Sequence, residues 1–370
     1  MVSNHQTQKK RVAILIENGV EDAEFQIPHK ALQLADAEIV ILGSRTNETY
    51  KGKQGKVSIK ADATTTETLP DAFDAVIIPG GMAPDTMRTN PNTVRFVKEA
   101  FNQGKLIAAV CHGPQVLIEA DLLKDKNATG FIAIRKDMIN AGANYIDEPL
   151  VVDGNLITSR QPGDLAIFTT AILSRLGLGG KEAALPMEND ASAEWWKLAD
   201  AWGGSTKGEI VTALNTALGG EKYSHEAFEQ YAQKISNPQA RSLFNEIVAA
   251  KAKHIQLIET RLSALNEKPS IPTAAAEPFA KLTSWLQSTK DIDVLRRSLG
   301  DLQTGIVDIF NLRKQFTDPV TTALFTQIQT NLESFEQHLA QLVRSSVNMD
   351  RTANPVGKTT PNPTTGAVAG

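Results

Sequence analysis

Ala109-Val110-Cys111-His112-Gly113 sets a thiol directly beside an imidazole. A cysteine nucleophile needs a base or charge partner, an acid that orients that partner, and donors for the oxyanion formed on attack. His112 is the candidate base. Two acidic stretches offer the orienting acid. One is ENGVEDAEF, with Glu21, Asp22 and Glu24; the other is PGGMAPD, with Asp85. Asp22 and Glu24 have a competing role, because acids in the first turn of a helix complement its dipole. The backbone N–H groups of Gly81 and His112 are the candidate oxyanion donors, glycine being suited to close approach.

These groups need elements to hold them. Leu106–Val110 is a continuous apolar run that meets Cys111, and Pro114 opens a helical pattern through Val116, Leu117 and Ala120. Such a run reads as a buried parallel strand, and proline favours the first turn of a helix. Cys111 is therefore expected at a strand-to-helix nucleophile elbow, where the helix N-terminus favours thiolate. Similar apolar runs at Arg11–Ile16, Glu38–Leu42 and Phe73–Pro79 alternate with helical patterns, one capped at Asn90 with Pro91 in its first turn. Tyr50–Ala61 reads as a hairpin or edge strand. Asn144–Ser159 reads as two strands joined through Asp153-Gly154, followed by a helix at Pro162–Leu176. This alternation predicts a doubly wound, flavodoxin-like parallel sheet, with its site outside the carboxyl ends of the strands. Gly80-Gly81, Cys111 and the loop after Ile16 all fall at such ends.

The whole chain narrows the chemistry. It has 370 residues, enough for two domains, and a net charge of −4 that gives no basic footprint for nucleic acid or membrane. Cys111 is the only cysteine, which excludes an intrachain disulfide and marks a candidate nucleophile. The polar start, MVSNHQTQKK, does not read as a signal peptide, and a cytoplasmic protein is expected. The six histidines are His5, His29, His112, His225, His254 and His338. None lies late in the strand-rich half, so a triad whose histidine is far downstream of the cysteine, as in glutamine amidotransferases, is excluded.

The motifs VEDAEF, VIIPGGMAPD, AAVCHGPQVL and INAGANYIDEPLVVDGNLITSRQPGDL occur in this order. With them, residues 10–176 resemble the PfpI family of cysteine hydrolases, within the class I glutamine-amidotransferase-like superfamily. The resemblance implies Cys111 as nucleophile, His112 as its partner and Glu21 as the carboxylate hydrogen-bonded to the thiol. It also implies that the acid orienting His112 comes from a neighbouring subunit at the position of Asp85, hence a homo-oligomer, dimer or higher. That acid is usually Glu, so Asp85 is one methylene short of the pattern. Members are described as proteases, as deglycases of methylglyoxal or glyoxal adducts, and as cofactor-free glyoxalases. The expected substrate is thus a small carbonyl or a glycated protein or peptide, with no cofactor. The alternative is a stress protein, redox-sensing or chaperone-like, that uses the same cysteine without turnover.

Beyond Leu176 the pattern changes. Glycines 177, 179 and 180 precede a short helical stretch with Trp195 and Trp196. Four long helices then follow at Ser205–Ile235, Pro238–Asn266, Pro278 to about Phe316, and Pro319–Val347. The expected organisation is a flexible start (1–9), the α/β domain (10–180), a connecting segment (181–204), an all-α antiparallel four-helix bundle (205–349) and a disordered tail (350–370). The bundle faintly resembles ferritin-like helices. A di-iron site there needs two Glu-x-x-His pairs, but Lys251 precedes His254 at −3 and Phe335 precedes His338. No metal is expected. Glu221, Glu226 and Glu229 read as a solvated face, and the bundle as an oligomerisation or partner-docking element.

Overall fold

The computed structural model describes residues 9–179, 185–190, 192–270, 286 and 289–353. Residues 354–370 of the expected tail, most of the flexible start, and the first part of the third long helix from Pro278 lie outside the described residues, as does part of the connecting segment; residues 350–353, expected in the disordered tail, continue the last helix.

The strands are β1 (Arg11–Leu15), β2 (Glu38–Gly43), β3 (Thr49–Lys51), β4 (Ser58–Lys60), β5 (Ala63–Thr64), β6 (Ala75–Ile78), β7 (Leu106–Val110), β8 (Asn127–Ala128), β9 (Asn144–Tyr145), β10 (Leu150–Asp153) and β11 (Leu156–Ser159). Seven of them form one sheet in the order β10-β11-β7-β6-β1-β2-β5. Every pairing in it is parallel except β10 with β11, the hairpin that turns at Asp153-Gly154. β6 and β7 are buried at every position. Only a sheet covered on both faces accepts such unbroken apolar strands. The covering helices are α1 (Asp22–Leu34), α2 (Ala83–Met87), α3 (Pro91–Asn102), α4 (Pro114–Glu119), α5 (Arg135–Asn140), α6 (Leu165–Arg175) and α7 (Trp195–Ala201). Asn90 caps α3 by accepting the Asn92 N–H at 3.0 Å, with Pro91 at its first position.

From β1 the strand order runs outward through β2 on one side and through β6 and β7 on the other. The direction of winding therefore reverses between β1 and β6. The crevice at that reversal, outside the carboxyl ends, is where such sheets bind ligands.

Four long helices follow among the described residues: α8 (Lys207–Lys234), α9 (Pro238–Ala264), α10 (Asp291–Arg313) and α11 (Pro319–Ala353). Pairs of cross-helix contacts give their directions. Lys222 pairs with Glu259 and Phe228 packs on Phe244; the Tyr231 hydroxyl donates to Asp301, and the Asn237 N–H, just past the end of α8, donates to Asp291; Gln303 pairs with Glu336 and Gly305 lies against Leu332. In each pair the sequence numbers run in opposite senses, so α8 is antiparallel to α9 and to α10, and α10 is antiparallel to α11. Phe228, Tyr231 and Phe244 pack ring against ring at 5.4–6.0 Å, and Leu243, Ile247 and Ile258 are buried with them. No helix among the described residues is long and apolar enough to cross a membrane.

By its contacts the chain forms two compact units. One contains the residues up to Ala213 together with Asn311–Phe325; the other contains Leu214–Phe310 and the residues from Thr326. The turn between α10 and α11 thus belongs with the sheet. The Ser205 N–H donates to Thr317 Oγ1 at 2.7 Å, the Thr317 N–H donates to Ser205 Oγ at 3.1 Å, and that hydroxyl donates to the Gln315 carbonyl at 3.2 Å. Ser205 and Thr317 are buried, so each bond between them matters more through the cost of leaving it unmade than through its own strength. Thr317→Val keeps the shape and orphans the Ser205 N–H. It is expected to destabilise the first unit by about 1–3 kcal/mol, read as a lowered denaturation midpoint at unchanged slope in urea.

Candidate active site

Cys111 lies at the end of β7 with φ +59°, a left-handed conformation that costs a residue with a side chain roughly 1–2 kcal/mol. Neighbours hold it there. Its N–H donates to the Ser159 carbonyl at 3.0 Å, and its carbonyl accepts the Phe131 N–H at 2.8 Å. Gly113 must be glycine, because a β-carbon there would lie 2.3 Å from the Ile78 carbonyl oxygen. The expected elbow is therefore present, with Pro114 starting α4.

The thiol is buried, 6% exposed. His112 Nδ1 is 3.3 Å from Sγ, and its ring packs on Phe131 at 4.9 Å. The backbone N–H groups of Gly81 and His112 lie beside the sulfur and favour its ionised form. Gly81 takes φ +76°, and a β-carbon on it would lie 2.4 Å from the Glu21 nitrogen. That glycine lets the β6 loop close over the thiol.

The carboxyl at the sulfur is Glu24, not Glu21. Glu24 is fully buried; its Oε2 accepts the Gly80 N–H at 2.7 Å, and the carboxyl lies within interaction range of Cys111. A β-carbon on Gly80 would lie 2.7 Å from that same oxygen. Glu21 precedes α1 and turns the other way. It accepts Gln54 Nε2 at 2.8 Å and Lys53 Nζ at 3.3 Å. Asp22 is also buried but serves the fold. Its two oxygens accept the N–H groups of Val57 at 2.6 Å and Gln54 at 2.7 Å, which fixes the loop carrying Lys53. One signal for Glu24 was in the sequence: Glu24, Pro28 and Ala31 are one helical stripe, and all three are buried.

Burial, reinforced by the negative charge of Glu21, pushes Glu24 up to about 8. Burial also pushes the Cys111 thiol up, and an ionised Glu24 would push it further. At neutral pH Glu24 holds its proton, so the repulsion falls away. Its Oε1, buried with no other hydrogen-bond partner, is the oxygen left to carry that proton. Burial holds His112 below the ordinary imidazole value, partly offset by the charges of Asp85 and Glu21. His112 is thus neutral at pH 7 and able to accept a proton. Asp85 stands exposed in the first turn of α2. Its charge reaches His112 of the same chain, although no hydrogen bond joins them among the described residues.

A carboxyl whose pKa is higher folded than unfolded takes up a proton on folding, so its contribution to stability is lost as pH rises through the window between the two values. For Glu24 that window is about pH 4.5 to 8. Stability is expected to fall there by up to about 1.4 kcal/mol per pH unit from this group. Glu24→Gln should flatten the slope, measured by urea unfolding across that range.

The architecture and the site agree with comparison to known proteins. The DJ-1/PfpI family model matches residues 10–175. The PfpI deglycase of Pyrococcus furiosus is 44% identical over 155 residues, which are 42% of this chain and 92% of that protein. The protein/nucleic acid deglycase 2 of Escherichia coli is 39% identical over 169 residues, 45% of this chain and 98% of that one. A crystal structure of a two-domain protein from Anabaena variabilis, with DJ-1/ThiJ/PfpI-like and ferritin-like domains, covers 97% of this chain and 100% of its own, at 60% identity and a TM-score of 0.85. From the elbow cysteine, the sheet that carries it and relatives matched over nearly their whole length, the chain belongs to the DJ-1/PfpI family, with a helical domain appended.

Proposed function

We propose that the protein is a cysteine-dependent hydrolase acting on small carbonyl compounds or on their adducts with proteins and peptides, in the manner of a deglycase or glyoxalase, with proteolysis as a further use of the same thiol. The observation that carries this reading is the placement of one sulfur. It stands at a strained elbow, 3.3 Å from a neutral imidazole nitrogen, between two backbone N–H groups and a protonated carboxyl. The names of the Pyrococcus and Escherichia relatives point the same way.

In the proposed reaction His112 takes the Sγ proton as the sulfur forms a bond to the carbonyl carbon. The π electron pair moves to oxygen. As the sulfur becomes a neutral thioether, the N–H groups of Gly81 and His112 that favoured its charge become available to the oxyanion. The imidazolium then returns its proton. An aldehyde yields a hemithioacetal. An acyl group yields a thioester once its leaving group departs with that proton, and water cleaves the thioester to acid and free thiol. Glu24 acts as a neutral donor toward the sulfur, and Glu21 as a more distant charge. Family members are commonly oligomeric, and we propose a homo-oligomer in which Asp85 reaches His112 of the partner subunit. No nucleic-acid or membrane partner and no cofactor enter the proposal, and a cytoplasmic setting suits a lone reduced thiol.

The burial of Cys111 supports a second reading. In it the thiol senses oxidants without turnover, or the protein is a chaperone-like stress protein.

Cys111→Ser is expected to lower turnover of methylglyoxal and of its peptide adducts by at least about 100-fold while leaving circular dichroism unchanged. Full activity in that variant would overturn the hydrolase. Reversible oxidation of Cys111 under mild peroxide, seen by mass spectrometry in a protein that turns nothing over, would favour the sensor. Asp85→Asn removes a charge that raises the His112 pKa. The basic form of the imidazole should then persist to lower pH, moving the acid limb of the kcat/KM profile downward.

A further inference from the structure

In the second unit a set of polar side chains is buried where four helices converge. Glu221 of α8 and Lys251 and His254 of α9 are 3%, 2% and 1% exposed, so Glu221 does not lie on the solvated face expected for it. Lys251 Nζ donates to Glu221 Oε1 at 3.1 Å, and His254 Nδ1 donates to Glu221 Oε2 at 2.9 Å. On the other side of the ring, His254 Nε2 accepts from Asn331 Nδ2 of α11 at 3.2 Å. Both ring nitrogens of His254 are therefore occupied by protein partners. Asp301 of α10 is close enough to feel the Lys251 charge, and it accepts the Tyr231 hydroxyl at 2.6 Å. Each of the four helices contributes to the cluster.

A ferritin-like bundle that holds two metal ions uses a Glu from each of two helices and a Glu-x-x-His pair from each of the other two. The Anabaena protein that matches this chain from end to end carries a domain described as ferritin-like. Here α9 presents Lys251-x-x-His254, and the lysine is bonded to the carboxylate that would be a ligand. Both Glu221 oxygens already accept from protein N–H groups, and His254 Nε2 accepts from an amide. Both carboxylate oxygens and both ring nitrogens are thus engaged, and an ammonium stands against the carboxylate. Among the described residues no group of three or more His, Cys, Asp or Glu is placed to hold a metal ion. These residues do not fit a di-metal centre.

We infer that the Lys251 ammonium stands where a bundle of this kind would hold a metal ion, so that the helical domain carries a built-in cation, and that exchanging this cation for a carboxylate opens a divalent-metal site on Glu221 and His254. Lys251 is anchored to its own helix and cannot dissociate. The domain therefore keeps its polar core closed at any metal concentration, whereas a metal-held bundle depends on supply.

The test uses the full chain and cobalt(II). Wild-type protein, loaded and desalted, is expected to retain no cobalt that Glu221→Gln abolishes, measured by elemental analysis and visible absorption. Stoichiometric cobalt lost on Glu221→Gln would overturn the inference. Lys251→Glu should gain about one ion per chain and a melting temperature that rises with cobalt concentration. A folded Lys251→Glu chain that takes up no more cobalt than wild type would also overturn it. Should that variant fail to fold, a neutral pair provides the second measurement. Lys251→Met alone should melt well below wild type because it leaves a buried carboxylate uncompensated, and adding Glu221→Gln should restore most of the loss. A single variant that melts like wild type would mean that the ammonium compensates nothing.

Discussion

The candidate site depends on one carboxyl group being kept out of water. Glu24 sits inside the sheet's crevice, bonded to the Gly80 N–H and pressed against the Cys111 sulfur. Several features of the fold serve that placement. The loop after β6 must carry a residue without a β-carbon at Gly80, because one would collide with the carboxylate and with the His112 nitrogen. α1 must start at Asp22 so that Glu24 falls in its first turn, and the Glu21 N–H bond to the Gly80 carbonyl at 3.3 Å fixes the residue before that start. The loop at 52–57 must stay in place to engage Glu21, and buried Asp22 holds it. A thiol that burial alone would leave inert thereby gains a neutral, hydrogen-donating neighbour instead of a repelling one.

The two units bury a glutamate each and leave them in opposite states. Among the described residues no cation lies within bonding distance of Glu24, so burial dominates and the proton stays on. Burial also pushes Glu221 up, but Lys251 and His254 more than offset it, and its carboxyl stays below the usual range. The chemistry of the two side chains is the same. What differs is whether an ammonium can reach them, and that decides whether the group is a hydrogen donor or an anion. The first arrangement suits a site that must move protons. The second suits a core that must not.

Much of the sheet was legible because its strands are short apolar runs with clear breaks, and the elbow was legible because Gly113 and Pro114 punctuate it. The register of acids along α1 was harder to read. Glu21 and Glu24 are three residues apart, and only the way α1 packs on the sheet decides which one turns inward. The apolar stripe through Pro28 and Ala31 favours Glu24, yet the acidic first turn masks it. In the bundle, Lys251 three before His254 breaks the Glu-x-x-His spacing in the sequence itself. Its burial, and that of Glu221, depended on partners on another helix that no local pattern reveals. Likewise, the attachment of residues 311–325 to the first unit rests on bonds across more than 100 positions of sequence.

The strained cysteine is held from outside its own strand, by the carbonyl of Ser159 and the N–H of Phe131. Ser159 ends β11, whose other neighbour is the sheet's antiparallel border strand, β10. Borders of sheets open locally at lower free energy than their centres. Once that hairpin frays, residue 111 loses the Ser159 bond and keeps only the one from Phe131, and its left-handed turn is weakened while β1, β6 and β7 remain intact. Heat inactivation is therefore expected to begin at the rim, with amide exchange at Cys111 following that of β10 and β11 rather than that of the central strands.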